Sequence, residues 1–197
     1  DLNDAQKTCL ERYKDFFREV ETTALTKSFK MILLDAFIEI NGFSKEVSTS
    51  QLAMKSYKVI YRKRKFLVDL PDEFQDKKLF DLKKWQGYWV KNPINAWIGV
   101  NTGSKNFYFY LENGNLRFKD AIEASLHDVF VNLLQEIINF RYLQYEERLS
   151  RKDKDLTPII QEIKKEGTEI PYFSDLKIAC GYFRTSDHES ENIEQRI

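Results

Sequence analysis

Apolar positions along this chain recur mostly every three or four residues, the spacing of one side of an α-helix. From Asp4 to Val20 the residues Leu10, Tyr13, Phe16, Phe17 and Val20 keep that spacing while acids and bases alternate outside, which predicts one packing helix. After Thr22-Thr23, Thr26 is placed to cap a second helix through Ile40. Phe29, Ile32, Leu33, Ala36, Phe37 and Ile40 form its wide apolar stripe, and Gly42 is its expected left-handed stop. Lys27 and Lys30 lie in the first turn, where the helix dipole disfavours cations, so they serve a partner better than they serve the helix.

The strongest helix start is Val47-Ser48-Thr49-Ser50-Gln51-Leu52. Ser48 with Gln51 makes a capping box, and Val47 with Leu52 a hydrophobic staple. In the helix that follows, to about Lys65, Leu52, Ala53, Ser56, Tyr57 and Ile60 share one side. Lys55, Lys58, Arg62 and Lys65 fall nearly opposite. Downstream, Asp76 to Val90 is helical in period through Leu79, Phe80, Leu82, Trp85 and Trp89, with Lys77, Lys78, Lys83 and Lys84 on its polar side. Asn92-Pro93 opens a short turn, and 96–100 reads as a strand.

Period two is clear once. Asn106 to Leu111 alternates Phe107, Phe109 and Leu111 with Tyr108 and Tyr110, and Asn113-Gly114 is a tight hairpin turn before Leu116 to Lys119 returns. Asp120 with Glu123 reads as a second capping box launching a helix to about Arg148, roughly 40 Å long at 1.5 Å per residue. Arg151 to Asp155 is a charged connector. Residues 158–165 read as a short helix or as a strand through Ile159 and Ile160, and 184–197 as an acidic tail.

The fold expected is therefore α+β and mainly α: a winged-helix-like body with a β-hairpin wing and a long C-terminal helix. The divisions expected are an N-terminal packing helix (1–23), the winged-helix-like accessory domain with its long helix (24–149), and a linker with a partial C-terminal segment (150–197). The ends suit a piece of something longer.

Composition adds that 15 Phe, 10 Tyr and 3 Trp can fill a sizeable core, and that 7 Gly and 4 Pro do not describe a loop-dominated chain. Net charge is zero, but the charges are segregated. Residues 44–119 hold 15 Lys/Arg against 7 Asp/Glu, residues 1–43 hold 6 against 8, and residues 120–197 hold 10 against 16. A middle this basic between acidic ends steers anions to one region. A run of charge is usually a solvated face; here Ser48 to Lys65 carries six Lys/Arg and no acid, in helix-turn-helix order, which favours nucleic acid. The expected contacts are Lys55, Lys58, Arg62, Lys63 and Lys65 from the helix and Lys105, Arg117 and Lys119 from the wing. They would touch phosphates, with steep salt dependence.

Catalytic chemistry finds little material. Cys9 and Cys180 cannot form a disulfide framework, and with His127 and His188 they show no zinc spacing, so no metal or cofactor is expected and reduced cytoplasm is the simpler location. Cys180 lacks a nearby histidine and reads as a small buried hydrophobe, His127 as a partly packed side chain, and the three tryptophans as core rather than base-stacking platforms. Gly99 to Lys105 holds two glycines and a lysine but leads into a strand, not the helix a P-loop needs. There is no run of 18 apolar residues, so no membrane partner is expected.

Two patches carry a family resemblance. Leu25-Thr26-Lys27-Ser28-Phe29-Lys30-Met31-Ile32-Leu33-Leu34, with Asn92-Pro93-Ile94-Asn95-Ala96-Trp97 and the 107–118 hairpin, resembles a region C-terminal to the motor in bacterial superfamily 2 (DEAD/DEAH-type) helicases of restriction and anti-phage defence, which often accompany a phospholipase-D-like nuclease domain. Ile170-Pro171-Tyr172-Phe173-Ser174-Asp175-Leu176-Lys177-Ile178-Ala179-Cys180-Gly181-Tyr182-Phe183 is similar to the opening phrase of LexA-like self-cleaving peptidase domains, and stops before their serine and lysine. No Walker loop or Asp-Glu-x-Asp/His box is present. The resemblance implies a non-catalytic accessory part that binds duplex or forked DNA, with ATP hydrolysis elsewhere in the parent. The other reading is a module docking helicase or nuclease domains of such a complex.

Overall fold

The computed structural model describes residues 2–100 and 107–152. It is mainly helical with one small antiparallel sheet, the α+β class expected. In chain order the elements are α1 (Asp4–Arg12), α2 (Lys14–Thr22), α3 (Phe29–Glu39), β1 (Val47–Ser48), α4 (Thr49–Arg62), α5 (Leu82–Trp89), α6 (Asn95–Trp97), β2 (Phe109–Glu112), β3 (Asn115–Phe118) and α7 (His127–Lys152). They form two compact units, one holding α1 and residues 24–135, the other residues 13–23 and 136–152.

In the first unit α3 is apolar on nearly every side, and Met31, Ile32, Leu33, Leu34, Ala36 and Phe37 are fully buried. A helix hydrophobic all round has to be surrounded, so α3 is the centre on which α4 packs. It ends in a Schellman motif: Gly42 N–H donates to Phe37 O at 2.8 Å and Asn41 N–H to Ile38 O at 2.9 Å. The left-handed residue is Asn41 (φ 56°), not Gly42. Gly42 is needed for space instead, since a Cβ there would lie 2.6 Å from the Phe37 ring.

The α4 start forms as its box predicts. Ser48 Oγ accepts the Gln51 N–H at 3.2 Å, and the staple residues Val47 and Leu52 are both buried. Val47 also pairs across to Leu116, so the two residues before α4 become a short edge strand and the sheet runs β1-β3-β2. The hairpin registers Phe109 with Phe118 and Leu111 with Leu116 around left-handed Asn113 and Gly114. Phe37, Phe43, Phe109, Phe118 and Phe130 close a ring-edge cluster with centroids 5.0–6.3 Å apart, the spacing at which aromatic quadrupoles attract.

Several elements differ from expectation. The N-terminal helix is two, broken at Tyr13, because Cys9 and Leu10 belong to one core and Phe16, Phe17 and Val20 to the other. The basic helix ends at Arg62 and passes into a 3-10 turn, Arg64–Asp69, whose Phe66 is buried. The helix expected over 76–90 starts only at Leu82, where Asp81 Oδ1 accepts the N–H groups of Lys83 (2.8 Å) and Lys84 (3.1 Å).

The strand expected at 96–100 is absent. A π-turn, Val90–Ile94, leads into α6, which keeps Trp85, Trp89, Ile94 and Trp97 all buried; the third strand is β1. The box expected at Asp120 does not form. The 3-10 turn Ala124–Leu126 precedes α7, which begins at His127.

In the second unit Phe16, Phe17, Val20, Ile138, Tyr142 and Tyr145 are buried, and the Arg141 guanidinium donates to the Thr23 carbonyl just past α2.

Candidate nucleic-acid interface

The cationic side of α4 faces α3 in part. Lys55 Nζ lies 2.8 Å from Glu39 Oε2, Arg62 donates to the other oxygen of the same carboxylate, and Lys63 Nζ is 3.7 Å from Asp35 Oδ2. Burial pulls the Glu39 carboxyl upward, but hydrogen bonds and charge from Arg62 and Lys55 outweigh it and hold the pKa below the ordinary carboxylate value. These pairs fasten α4 to α3. A charge so matched attracts an outside phosphate less; α4 holds no acid of its own, and the carboxylates that meet its cations come from α3. Lys58 and Lys65 are exposed, as is Arg64 beside them.

On the hairpin, Arg117 and Lys119 are exposed. Arg117 stands over Tyr110 at 5.4 Å with Glu112 Oε2 3.9 Å away, and Lys119 stands over Phe107 at 5.8 Å. Both project from the sheet face opposite the aromatic cluster, because residues paired across a ladder share a face and Phe109 and Phe118 take the inner one. Lys105 lies outside the described residues, as does the 170–183 phrase with Cys180.

A second basic surface includes lysines that the sequence had placed on the polar side of the 76–90 helix, though not among the expected contacts. On α5 and the turn after it, Lys83, Lys84 and Lys91 are exposed while Trp85 and Trp89 are buried beneath them. Between the lysines lies Gly87, where an added Cβ would meet nothing within 4 Å. A mid-helix glycine costs roughly 0.5–1 kcal/mol relative to alanine, and no neighbour in the chain requires this one. The signal was available: residues 82–111 contain no Asp or Glu at all.

Elsewhere the chemistry is quiet. Trp85, Trp89 and Trp97 are core, and Trp85 Nε1 donates to the Ala53 carbonyl at 2.8 Å. Cys9 is buried and burial pushes its thiol up to about 11. His127 is half-buried with Nε2 2.7 Å from Ser44 Oγ. Among the described residues no three His, Cys, Asp or Glu side chains gather to hold a metal, and no helix is long and apolar enough to cross a membrane. No protein-family model, curated protein or solved structure matches the chain.

Proposed function

We propose that this chain binds nucleic acid, duplex or forked DNA foremost, through its phosphate backbone, as a non-catalytic accessory module of a larger DNA-processing protein. The observation that carries the reading is the α5 surface: Lys83, Lys84 and Lys91 exposed around an open Gly87, on a stretch with no acid from residue 82 to 111. A flat, cationic helix face suits close approach of a sugar-phosphate chain, which carries a regular row of negative charge. Arg117 and Lys119 on the hairpin add to it, with Lys58 and Lys65 from α4.

The element order supports the same reading. Helix α3, strand β1, helices α4, α5 and the short α6, then β2 and β3 with β1 on the free edge of β3, is compatible with the order of a winged helix. In that scheme the helix before the hairpin meets the groove. Here the last helix of two turns or more before the hairpin is α5, followed by the short α6, and not α4. The stretch 63–81 between the two is longer than the three- or four-residue turn of a helix-turn-helix, so backbone contact is proposed rather than base readout. The helicase resemblance of 25–34 and 92–97 supplies a context for such a module, with the motor in other sequence.

Gel-shift titrations with a short duplex at two salt concentrations test this. Each phosphate neutralised contributes a slope of about −0.9 in log K against log salt, so a multi-lysine contact weakens steeply between the two. Lys83→Glu with Lys84→Glu should abolish the shift; an unchanged shift overturns the placement on α5, and no shift at low salt overturns the function.

One observation favours the docking reading: Val68 and Leu79, both in 63–81, are 67% and 74% exposed. Cross-linking to a purified helicase or nuclease domain without DNA, lost on changing both residues to Ser, would establish it.

A further inference from the structure

Beside the α5 surface, residues from two distant parts of the chain form a cleft of about 170 Å³. Thr26 and Lys27 come from the turn before α3 and Lys30 from its first turn, and Lys91, Asn92 and Pro93 from the π-turn after α5. Both walls derive from acid-free sequence, residues 22–34 and 82–111. No carboxylate lines the cleft. Lys27 and Lys30 are held in place by contacts within the fold. Lys27 Nζ donates to the Asp69 main-chain oxygen at 2.7 Å and lies 5.1 Å from the Phe29 ring centre; Lys30 Nζ lies 5.8 Å from that of Trp97.

The carboxylate of Asp69 is turned elsewhere, accepting Ser28 N–H at 2.8 Å and Ser28 Oγ–H at 2.6 Å. It is Asp69, therefore, that answers the amides at the start of α3, and an anion in the cleft would be held by ammonium groups. Like charges gathered at a helix start, where the dipole already repels them, raise the local potential further.

We infer that this cleft is a binding site for one phosphate group, either a phosphodiester of a nucleic-acid backbone or a free phosphate or phosphomonoester. The volume is below the roughly 300–1,000 Å³ of sites for drug-sized ligands, so it admits a single oxyanion with water and not a whole nucleotide. Ammonium groups are compact point charges, suited to a tetrahedral anion approached from several sides. The site deepens the nucleic-acid reading by naming one contact of it, and inorganic phosphate alone tests it separately.

Sodium phosphate is titrated into the intact chain against sodium chloride at matched ionic strength, followed by backbone amide NMR. Saturable shifts confined to residues 24–30 and 91–96 are expected. Lys91→Gln should weaken phosphate by on the order of tenfold, the loss of one charge-assisted contact, while Lys7→Gln on α1 should not. Because Lys91 is exposed, its variant tests the contact and not the fold. Equal shifts with chloride, or unchanged phosphate affinity in Lys91→Gln, overturn the site. A short duplex added afterwards separates the sources: competition for the same amides identifies a backbone phosphate. Phosphate binding without any duplex binding upholds the cleft as a site for free phosphate and sinks the nucleic-acid reading instead.

Discussion

Lys55 of α4 reaches Glu39 of α3 at 2.8 Å, and Arg62 about two turns further along closes on the same carboxylate. One acid thus fastens two helices and occupies two charges that the linear pattern assigned to a partner. The Glu39 side chain is 27% exposed, so the bridge is partly shielded from solvent and salt, though pairs of this kind contribute only about 0–1 kcal/mol.

Glu39→Gln should therefore cost roughly 1 kcal/mol of stability at neutral pH. The sign with pH follows from the depressed folded pKa. The contribution is complete above the ordinary carboxyl value of 4.5 and disappears as pH falls through the lower folded value. Urea melts at pH 7 and pH 3 should show the variant's deficit at the first and its shrinkage at the second; equal deficits would mean that the charge is irrelevant. The same variant informs binding. If the α4 stripe met DNA, releasing Lys55 and Arg62 would raise affinity, whereas a contact through α5 leaves it nearly constant.

Substitutions at Gly87 offer two readouts of opposite sign. Removing a mid-helix glycine where a Cβ meets nothing should stabilise by roughly 0.5–1 kcal/mol. Gly87→Leu adds bulk in the middle of the lysine surface and should weaken duplex binding while leaving the melt near that of the parent. A binding curve unaffected by Leu at this position would remove the case for close backbone approach at α5.

Gly42→Ala should behave differently. Its Cβ would be driven to 2.6 Å from the Phe37 ring, inside the aromatic cluster, and overpacking of this sort costs typically about 1–3 kcal/mol. Thermal melts of Gly42→Ala beside Gly114→Ala separate the causes. Gly114 stands at φ 76° in open space, so its variant loses about 1 kcal/mol to backbone strain alone.

Ser48→Ala removes the acceptor of the Gln51 N–H and should destabilise by about 1 kcal/mol, with Ser48→Asp retaining most of it. Denaturant midpoints of the two variants check the cap, and a loss equal in both would place the effect in the β1 pairing rather than in the side chain.

Cys9 should resist alkylation in the folded chain. It is fully buried with its thiol pushed up to about 11, leaving almost no thiolate at neutral pH. Peptide mapping after iodoacetamide should find Cys9 unmodified in buffer and modified in denaturant; ready labelling in buffer would show that the α1 core opens.

Much of this protein was settled within short spans of sequence. The Ser48 and Gln51 box, the Val47 and Leu52 staple, the Asn113-Gly114 hairpin and the helical period of α3 each depend on residues within about five positions, where backbone geometry alone decides who meets whom. The burial of Trp85 and Trp89 was legible for the same reason, since large apolar side chains at helical spacing have to be covered, and that of Trp97 from its size alone. Distant partners were not. Glu39 and Arg62 are 23 positions apart, and Val47 finds its strand partner at Leu116.

The π-turn that puts a short helix and turn where 96–100 read as a strand goes with packing Trp97 against the body, where its indole N–H donates to the Lys30 carbonyl at 3.3 Å. Which lysines would be free for an anion and which would be consumed as fasteners was likewise a tertiary matter. Charge along a chain is a local property, but the field that a ligand meets is the sum over surfaces brought together by folding, and that sum moved the candidate site from α4 to α5 and the cleft beside it.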